Sequence, residues 1–234
     1  MTAKFEAVIL AAGMGTRLGR PHPKPLTKLD TGETIMRRQI TNLRKVFGDD
    51  LRITAVVGYK LDWVIENNPD LGFVYNPYFD TTNTSKSLLK ALQHTGPHGI
   101  MWLNGDVVFD HELLGLLESA IEAEQSFVSV NTESVAEEEV KYTLDDAGNI
   151  LELSKRVVGG LGEAVGINFV AAADKATLIA RLKEVDDQDY FEGGIELAIQ
   201  KDGLSFKPID ISEFPAIEVD FEADLERANI ALNS

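Results

Sequence analysis

The sequence predicts an α/β layered fold with a mixed, mostly parallel sheet. Short apolar runs alternate with segments of helical period through the first 125 residues. Glycine and proline punctuate the joints between them. The 234-residue chain is 44% hydrophobic, enough to bury one substantial core.

The elements follow in order. Phe5–Ala11 (FEAVILA) is a buried strand bounded by a glycine-rich turn. Met36, Ile40, Leu43 and Phe47 recur at helical spacing, and Gly48 stops that helix. Residues 52–58 form a second strand and Gly72–Tyr75 a shorter third. Residues 83–94 are helical through Leu88, Leu89 and Leu92, and Gly96-Pro97 ends them. A fourth buried strand, 100–103, runs into Asn104-Gly105-Asp106, and a helix over 110–124 follows. Shorter strands are then expected at 127–130, 140–144, 150–153 and 165–170, with Asp146-Ala147-Gly148-Asn149 as a hairpin turn. Helices near 173–185 and 189–201, short strands at 206–209 and 217–220, and an amphipathic helix complete the chain. With no linker, repeat or low-complexity segment, residues 1–234 are expected to form a single domain, the second half elaborating the sheet.

Composition narrows the function. Acidic residues outnumber basic ones 38 to 22, a formal charge of −16 that repels a nucleic-acid backbone. No run approaches the length of a membrane span, and Met1-Thr2-Ala3-Lys4 leads into a strand without a signal-peptide pattern, so a cytoplasmic protein is expected. Without cysteine there is no disulfide, thiolate metal site or thiol nucleophile.

The most informative stretch is Leu10-Ala11-Ala12-Gly13-Met14-Gly15-Thr16-Arg17-Leu18. Its two glycines let backbone N–H groups approach a phosphate or base with no Cβ in the way. It is not a dinucleotide fingerprint, whose third glycine position is Leu18 here, nor a P-loop, since no Gly-Lys-Ser/Thr follows. Pro23-Lys24-Pro25-Leu26 comes shortly after, and the flanking prolines stiffen the backbone around Lys24. Arg17 and Lys24 beside such a turn make a cationic cradle for a polyphosphate. The bland alternative is a tight strand–helix connection.

These two motifs together resemble the signature of the nucleotidyltransferases that make NDP-sugars and CDP-alcohols. The resemblance implies a Rossmann-like, GT-A-type three-layer α/β/α fold. It also implies transfer of a nucleoside monophosphate onto a phosphate or phosphonate, with Mg²⁺ bound and pyrophosphate released. Residues 1–124 would be the nucleotide-binding half, and 125–234 would carry the acceptor site and the second metal ligand. Asn104-Gly105-Asp106 resembles the first metal aspartate and Val219-Asp220 the second; otherwise Asp106 is a turn residue and Asp220 caps the last helix. Two carboxylates without a histidine or cysteine cluster suit a hard cation such as Mg²⁺. Arg17 and Lys24 are the catalytic candidates, neutralising charge in the transition state. The acceptor phosphate is already an anion, so no general base is required.

Asn76-Pro77 and the following Thr82-Asn83-Thr84-Ser85-Lys86-Ser87-Leu88 are similar to the CTP-using, phosphocholine cytidylyltransferase-like branch. Nucleotide contacts are therefore expected from residues 10–16 (Leu10, Ala11, Ala12, Gly13, Met14, Gly15 and Thr16) and from Asn83, Thr84, Ser85 and Ser87 at a helix N-terminus. Helix capping alone is the other reading. For the acceptor, Lys155 would hold the phosphate and Glu163 a polar or cationic head group. Tyr190, Glu192 and Glu196 form a further cluster, unless Glu192 and Glu196, four apart, are a solvated surface pair. The only tryptophans are Trp63 and Trp102, the latter in a core strand, so a choline-type aromatic cage is not visible. His22, His94 and His98 are assigned to loops, and Asp186-Asp187-Gln188-Asp189 to a helix cap.

The expected function is Mg²⁺-dependent transfer of CMP from CTP to a small phosphorylated or phosphonate alcohol or amine such as phosphocholine, supplying a cell-surface polysaccharide or lipid precursor. A sugar-1-phosphate nucleotidyltransferase using UTP or dTTP, or a non-catalytic nucleotide-binding regulator, are the alternatives. The expected partners are the nucleoside triphosphate and the acceptor, with no nucleic acid and no membrane; a homodimer is left open.

Overall fold

A computed structural model describes residues 5–133, 135 and 138–232. β1 (Phe5–Ala11) is buried along its whole length. It lies between β2 (Ile53–Val57) and β4 (Gly99–Asn104), parallel to both, in the registers Ala7↔Ile53 and Phe5↔Gly99. β3 (Gly72–Tyr75) adds a parallel edge. Beyond β4 the direction reverses. β9 (Glu163–Val170) runs antiparallel to β4 and to β6 (Phe127–Asn131), and β10 (Lys207–Asp210) pairs parallel with β6. The order β10-β6-β9-β4-β1-β2-β3 is therefore a mixed sheet with four of its six pairings parallel. A hairpin of β7 (Lys141–Leu144) and β8 (Ile150–Ser154) joins it where Lys141 pairs with Glu163.

Side chains alternate across a strand, so β1 feeds two cores. Ala7, Ile9 and Ala11 meet Met36, Ile40 and Leu43 of α1 (Ile35–Phe47) and Leu113 and Leu117 of α4 (His111–Glu122). Val8 and Leu10 face the other way, onto Leu88 of α3 (Thr84–His94), Leu178 of α5 (Lys175–Glu184) and Phe191 and Ile195 of α6 (Phe191–Asp202). A central strand covered on both faces must be apolar throughout, which is why its sequence lacks polar alternation. The result is the expected three-layer α/β/α architecture. Trp102 is fully buried in the second core, edge-on to Phe191 with ring centroids 5.6 Å apart.

Two elements were not expected. α2 (Leu61–Asn67) follows Lys60, which has a positive φ of 46°. β5 (Val107–Phe109) begins just after Asp106 and pairs antiparallel with β11 (Ala216–Glu218). The strand expected over 217–220 thus ends at Glu218, and Asp220 lies in the connection to α7 (Glu222–Leu232). Among the described residues no helix is long and apolar enough to cross a membrane.

Candidate active site

The first strand ends at the glycine loop. Gly15 takes a left-handed φ of 60°, and a Cβ there would lie 2.9 Å from the Lys24 Cβ. Glycine is required at this position so that the loop can lie against Lys24. Gly13 differs: a Cβ there would meet no protein atom within 4 Å. The protein's own packing does not explain that glycine, and the open space beside it is where a ligand could approach the backbone.

Lys24 sits in a tight turn held by Leu26 N–H donating to the Pro23 carbonyl and Thr27 N–H to the Lys24 carbonyl, both at 2.9 Å. Its side chain is buried, and Nζ donates to Asp106 Oδ2 at 2.8 Å and also to Asp220. Burial works against the Lys24 charge, but the Asp106 and Asp220 carboxylates outweigh it and raise the pKa above the ordinary lysine value. Arg17 donates to the other oxygen of Asp220. Asp220 is therefore no helix cap; the carboxylate of Asp224 accepts the N–H groups of Asp220 and Phe221, at 3.0 and 2.7 Å.

Asp106 is positioned by a turn clamped from three sides. Gly105 N–H donates to the Leu10 carbonyl at 2.9 Å, and Val219 N–H to the Asp106 carbonyl at 3.0 Å. From α1, the buried Gln39 amide donates to the Asn104 and Val107 carbonyls at 2.9 and 2.8 Å. One side chain thus fixes both ends of the turn.

Glu218, which sequence reasoning missed, completes the group. Carboxylate oxygens of Asp106, Glu218 and Asp220 lie within 4.8 Å of one another. The Asp106 charge is the main reason the Glu218 pKa is pushed up to about 8; the confinement of its carboxyl adds to this, even though the residue opens into the cleft. Glu218 and Asp220 are two apart at the end of β11, and that alternation was the available signal. Asp106 Oδ1 is buried and, among the described residues, has no hydrogen-bond partner. An unpartnered carboxylate oxygen facing two further carboxylates is a donor set that fits a hard divalent cation.

One cleft gathers these groups with Leu10, Ala11, Gly13, Gly15, Thr16, Asn83, Thr84, Lys155, Tyr190 and Glu192. Asn83 caps α3, its Oδ1 accepting from Thr84 N–H at 2.8 Å while its Nδ2 donates to the Gln188 carbonyl at 3.2 Å. Capping and a place in the cleft wall coexist there.

Other expected contacts lie elsewhere. Ala12 is buried in the core, Met14 is exposed on the loop, and Glu163 is on β9 outside the cleft lining. Ser85 is fully buried, and Ser87 accepts from Asn76 Nδ2 at 3.1 Å, so the structure turns both away from the cleft.

The Glu192–Glu196 pair is not a solvated surface pair. Glu196 accepts Leu153 N–H at 2.9 Å, and Glu192 is only 7% exposed. The face of α6 that carries them is turned inward by packing against the hairpin strand β8. Burial raises the Glu192 pKa to about 7. On the same wall, Lys155 Nζ lies 4.7 Å from the centroid of the Tyr190 ring. The Glu139 pKa is also raised, by burial first and by Glu163 second.

His94 is the last residue of α3 and not a loop residue, its Nδ1 2.7 Å from the Lys90 carbonyl, and none of His22, His94 and His98 lines the cleft. The Asp186–Asp189 run forms a turn whose Asp187 carbonyl accepts the Asn83 N–H at 2.8 Å, serving the start of α3.

Over 96% of its length the chain is 27% identical to CMP-5'-(3-aminopropyl)phosphonate synthase of Streptomyces rubellomurinus, and it spans 38% of that relative's length. The inositol-1-phosphate CTP transferase of T. maritima superposes with a TM-score of 0.78 at 17% identity, covering 99% of this chain and 96% of the other. The CTP:phosphocholine cytidylyltransferase LicC of Streptococcus pneumoniae gives 0.72 at 19% identity, covering 97% and 99%. At these identities the two structures share the fold. Residues 7–185 match the MobA-like NTP transferase domain. That match spans the glycine loop, Lys24 and Asp106, and the chain belongs to this family of nucleotidyltransferases.

Proposed function

We propose that the protein transfers CMP from CTP to a small phosphorylated or phosphonate alcohol or amine, with Mg²⁺ bound and pyrophosphate released. The observation that carries this reading is the convergence of Arg17 and Lys24 with Asp106, Glu218 and Asp220 beside an open glycine loop. CTP is chosen over UTP or dTTP on the relative matched over 96% of the chain, which is named as a CMP-phosphonate synthase. The solved neighbours, which include a putative glucose-1-phosphate thymidylyltransferase at a TM-score of 0.74, show the fold alone. Residues 1–124 supply the nucleotide side, and residues 125–234 the acceptor side together with Glu218 and Asp220 of the proposed metal set, of one catalytic unit.

Charge arithmetic explains the need for a cation. Two basic side chains face three carboxylates, so the cluster carries a net charge of about −1 when all are ionised, and a triphosphate would be repelled. Asp106, Glu218 and Asp220 would hold Mg²⁺, which when bound supplies charge neutralisation at the phosphates. Lys24 and Arg17, released from the aspartates, would then donate to phosphate oxygens and stabilise the charge that builds up on them. An acceptor oxygen attacks the α-phosphorus; a new P–O bond forms as the bond to the β-phosphate bridging oxygen breaks, and that electron pair leaves on pyrophosphate. Because the attacking oxygen is already anionic, no proton has to be removed, which agrees with a cleft lined by no histidine among the described residues.

Thermal shift against ATP, CTP, GTP, UTP and dTTP, each with and without Mg²⁺, tests the nucleotide assignment. Selective stabilisation by CTP with Mg²⁺ is expected; preference for UTP or dTTP would reassign the protein to sugar activation.

A further inference from the structure

The acceptor wall contains a feature that phosphate binding does not explain. Glu192 is 7% exposed and lines the cleft, yet among the described residues its Oε2 has no hydrogen-bond partner. A buried carboxylate oxygen without a donor is costly, so a ligand that supplies an N–H or O–H there is favoured. Around it the surface is made for a cation. The Tyr190 ring already has an ammonium over it, that of Lys155 at 4.7 Å. Glu139, on the same wall, adds a second carboxylate whose field reaches Glu192.

Lys155 satisfies this wall only from outside, as an exposed side chain on a flexible stem. It can turn toward the phosphate end of an acceptor while another ammonium takes the place over Tyr190. The ring alone would accept a trimethylated ammonium as readily as a primary one. Glu192 Oε2 would not, because a quaternary nitrogen has no hydrogen to donate. Among the described residues no tryptophan lines the cleft to enclose a methylated head group.

We propose that this wall recognises an N–H-bearing ammonium, so that the acceptor is an aminoalkyl phosphate or phosphonate whose amine is seated on Glu192 and the Tyr190 face. This rests on the nucleotidyl-transfer reading of the same cleft and narrows its acceptor from alcohols and amines to amines whose ammonium carries an N–H. Glu192 is then the residue that sets specificity at the head group, and Glu139 reinforces it.

The test is equilibrium binding to the full chain by calorimetry, with and without CMP and Mg²⁺. The ligands are 3-aminopropylphosphonate, propylphosphonate, and the N,N,N-trimethyl form of the amine. The primary amine is expected to bind at least about thirtyfold more tightly than either analogue, the penalty of leaving a charged acceptor unpaired. Glu192→Gln is expected to bring the primary and the trimethylated amine level, since the Tyr190 ring and Glu139 still favour either cation over propylphosphonate, and the wild-type series is decisive even if that variant does not fold. Equal binding by propylphosphonate or the trimethyl form, or no binding in the series, would overturn the proposal. Pyrophosphate release separates this from the activity itself. An amine preference without turnover keeps the subsite and removes the transferase reading, whereas turnover indifferent to the amine does the reverse.

Discussion

Lys24 Nζ donates to Asp106 Oδ2 at 2.8 Å, joining the turn after the glycine loop to the turn after β4. With Asp220 on its other side, Lys24 closes a cluster in which the cations proposed to meet a triphosphate are held by the carboxylates proposed to hold a metal. On the function proposed above, nucleotide and Mg²⁺ binding are expected to be coupled, each releasing the partner of the other. Lys24→Gln is expected to lower kcat by about a hundredfold to a thousandfold, the scale of losing one charged donor in a transition state. Steady-state pyrophosphate release checks this, and a variant within a few-fold of wild type would remove Lys24 from the chemistry.

Gly13 and Gly15 are expected to respond oppositely to alanine. At Gly15 the left-handed backbone and the 2.9 Å approach to the Lys24 Cβ make Gly15→Ala destabilising by about 1–2 kcal/mol. At Gly13 nothing in the protein is struck, so Gly13→Ala should change stability by less than about 0.5 kcal/mol while weakening nucleotide binding. Denaturant melts and CTP titrations of both variants separate the two roles.

Glu218 gives a pH dependence. Its pKa is raised to about 8 from the ordinary 4.5, so the folded protein binds a proton that the unfolded chain has already lost in that window. This contribution to stability is complete below about pH 4.5 and is lost as pH rises through about 8. Because a metal needs the carboxylate ionised, Mg²⁺ affinity should rise across the same pH range, with proton release measurable by calorimetry in buffers of different ionisation heat. Glu218→Gln should raise the melting temperature of the metal-free protein at pH 9 and blunt its response to Mg²⁺.

Gln39 is a positioning residue for Asp106. Gln39→Leu strands two carbonyls, those of Asn104 and Val107, and is expected to cost about 2 kcal/mol of stability, several degrees in melting temperature. It should also lower kcat more than it raises KM for CTP, which a purely structural role would not do.

Much of this was legible because local rules and tertiary structure agree. β1, α1 and α3 combine strong apolar patterns with clear stops, and the glycine loop with Pro23-Lys24-Pro25 pointed to the cleft directly. Misses occurred where context decides. α2 buries only Val64, so its apolar period is too weak to read. β5 is three residues long and follows a turn that resembled a strand end. Glu192 and Glu196 carry the spacing of a solvated pair, and only packing of α6 against the hairpin turns them inward. Ser85 and Ser87 share a helix start with Asn83 and Thr84, but tertiary contacts decide their places: Ser85 is fully buried and the Ser87 hydroxyl is taken up by Asn76. Gln39 drew no attention because a glutamine within a helix is ordinarily exposed; its burial follows from the turn it faces.

The most direct test is a pyrophosphate-release assay with CTP, Mg²⁺ and 3-aminopropylphosphonate, followed by phosphorus NMR of the product. Stoichiometric pyrophosphate and a CMP–acceptor conjugate are expected, dependent on both substrates and on Mg²⁺. Tight CTP binding with no pyrophosphate across phosphate and phosphonate acceptors would contradict transfer and leave a nucleotide-binding protein without turnover.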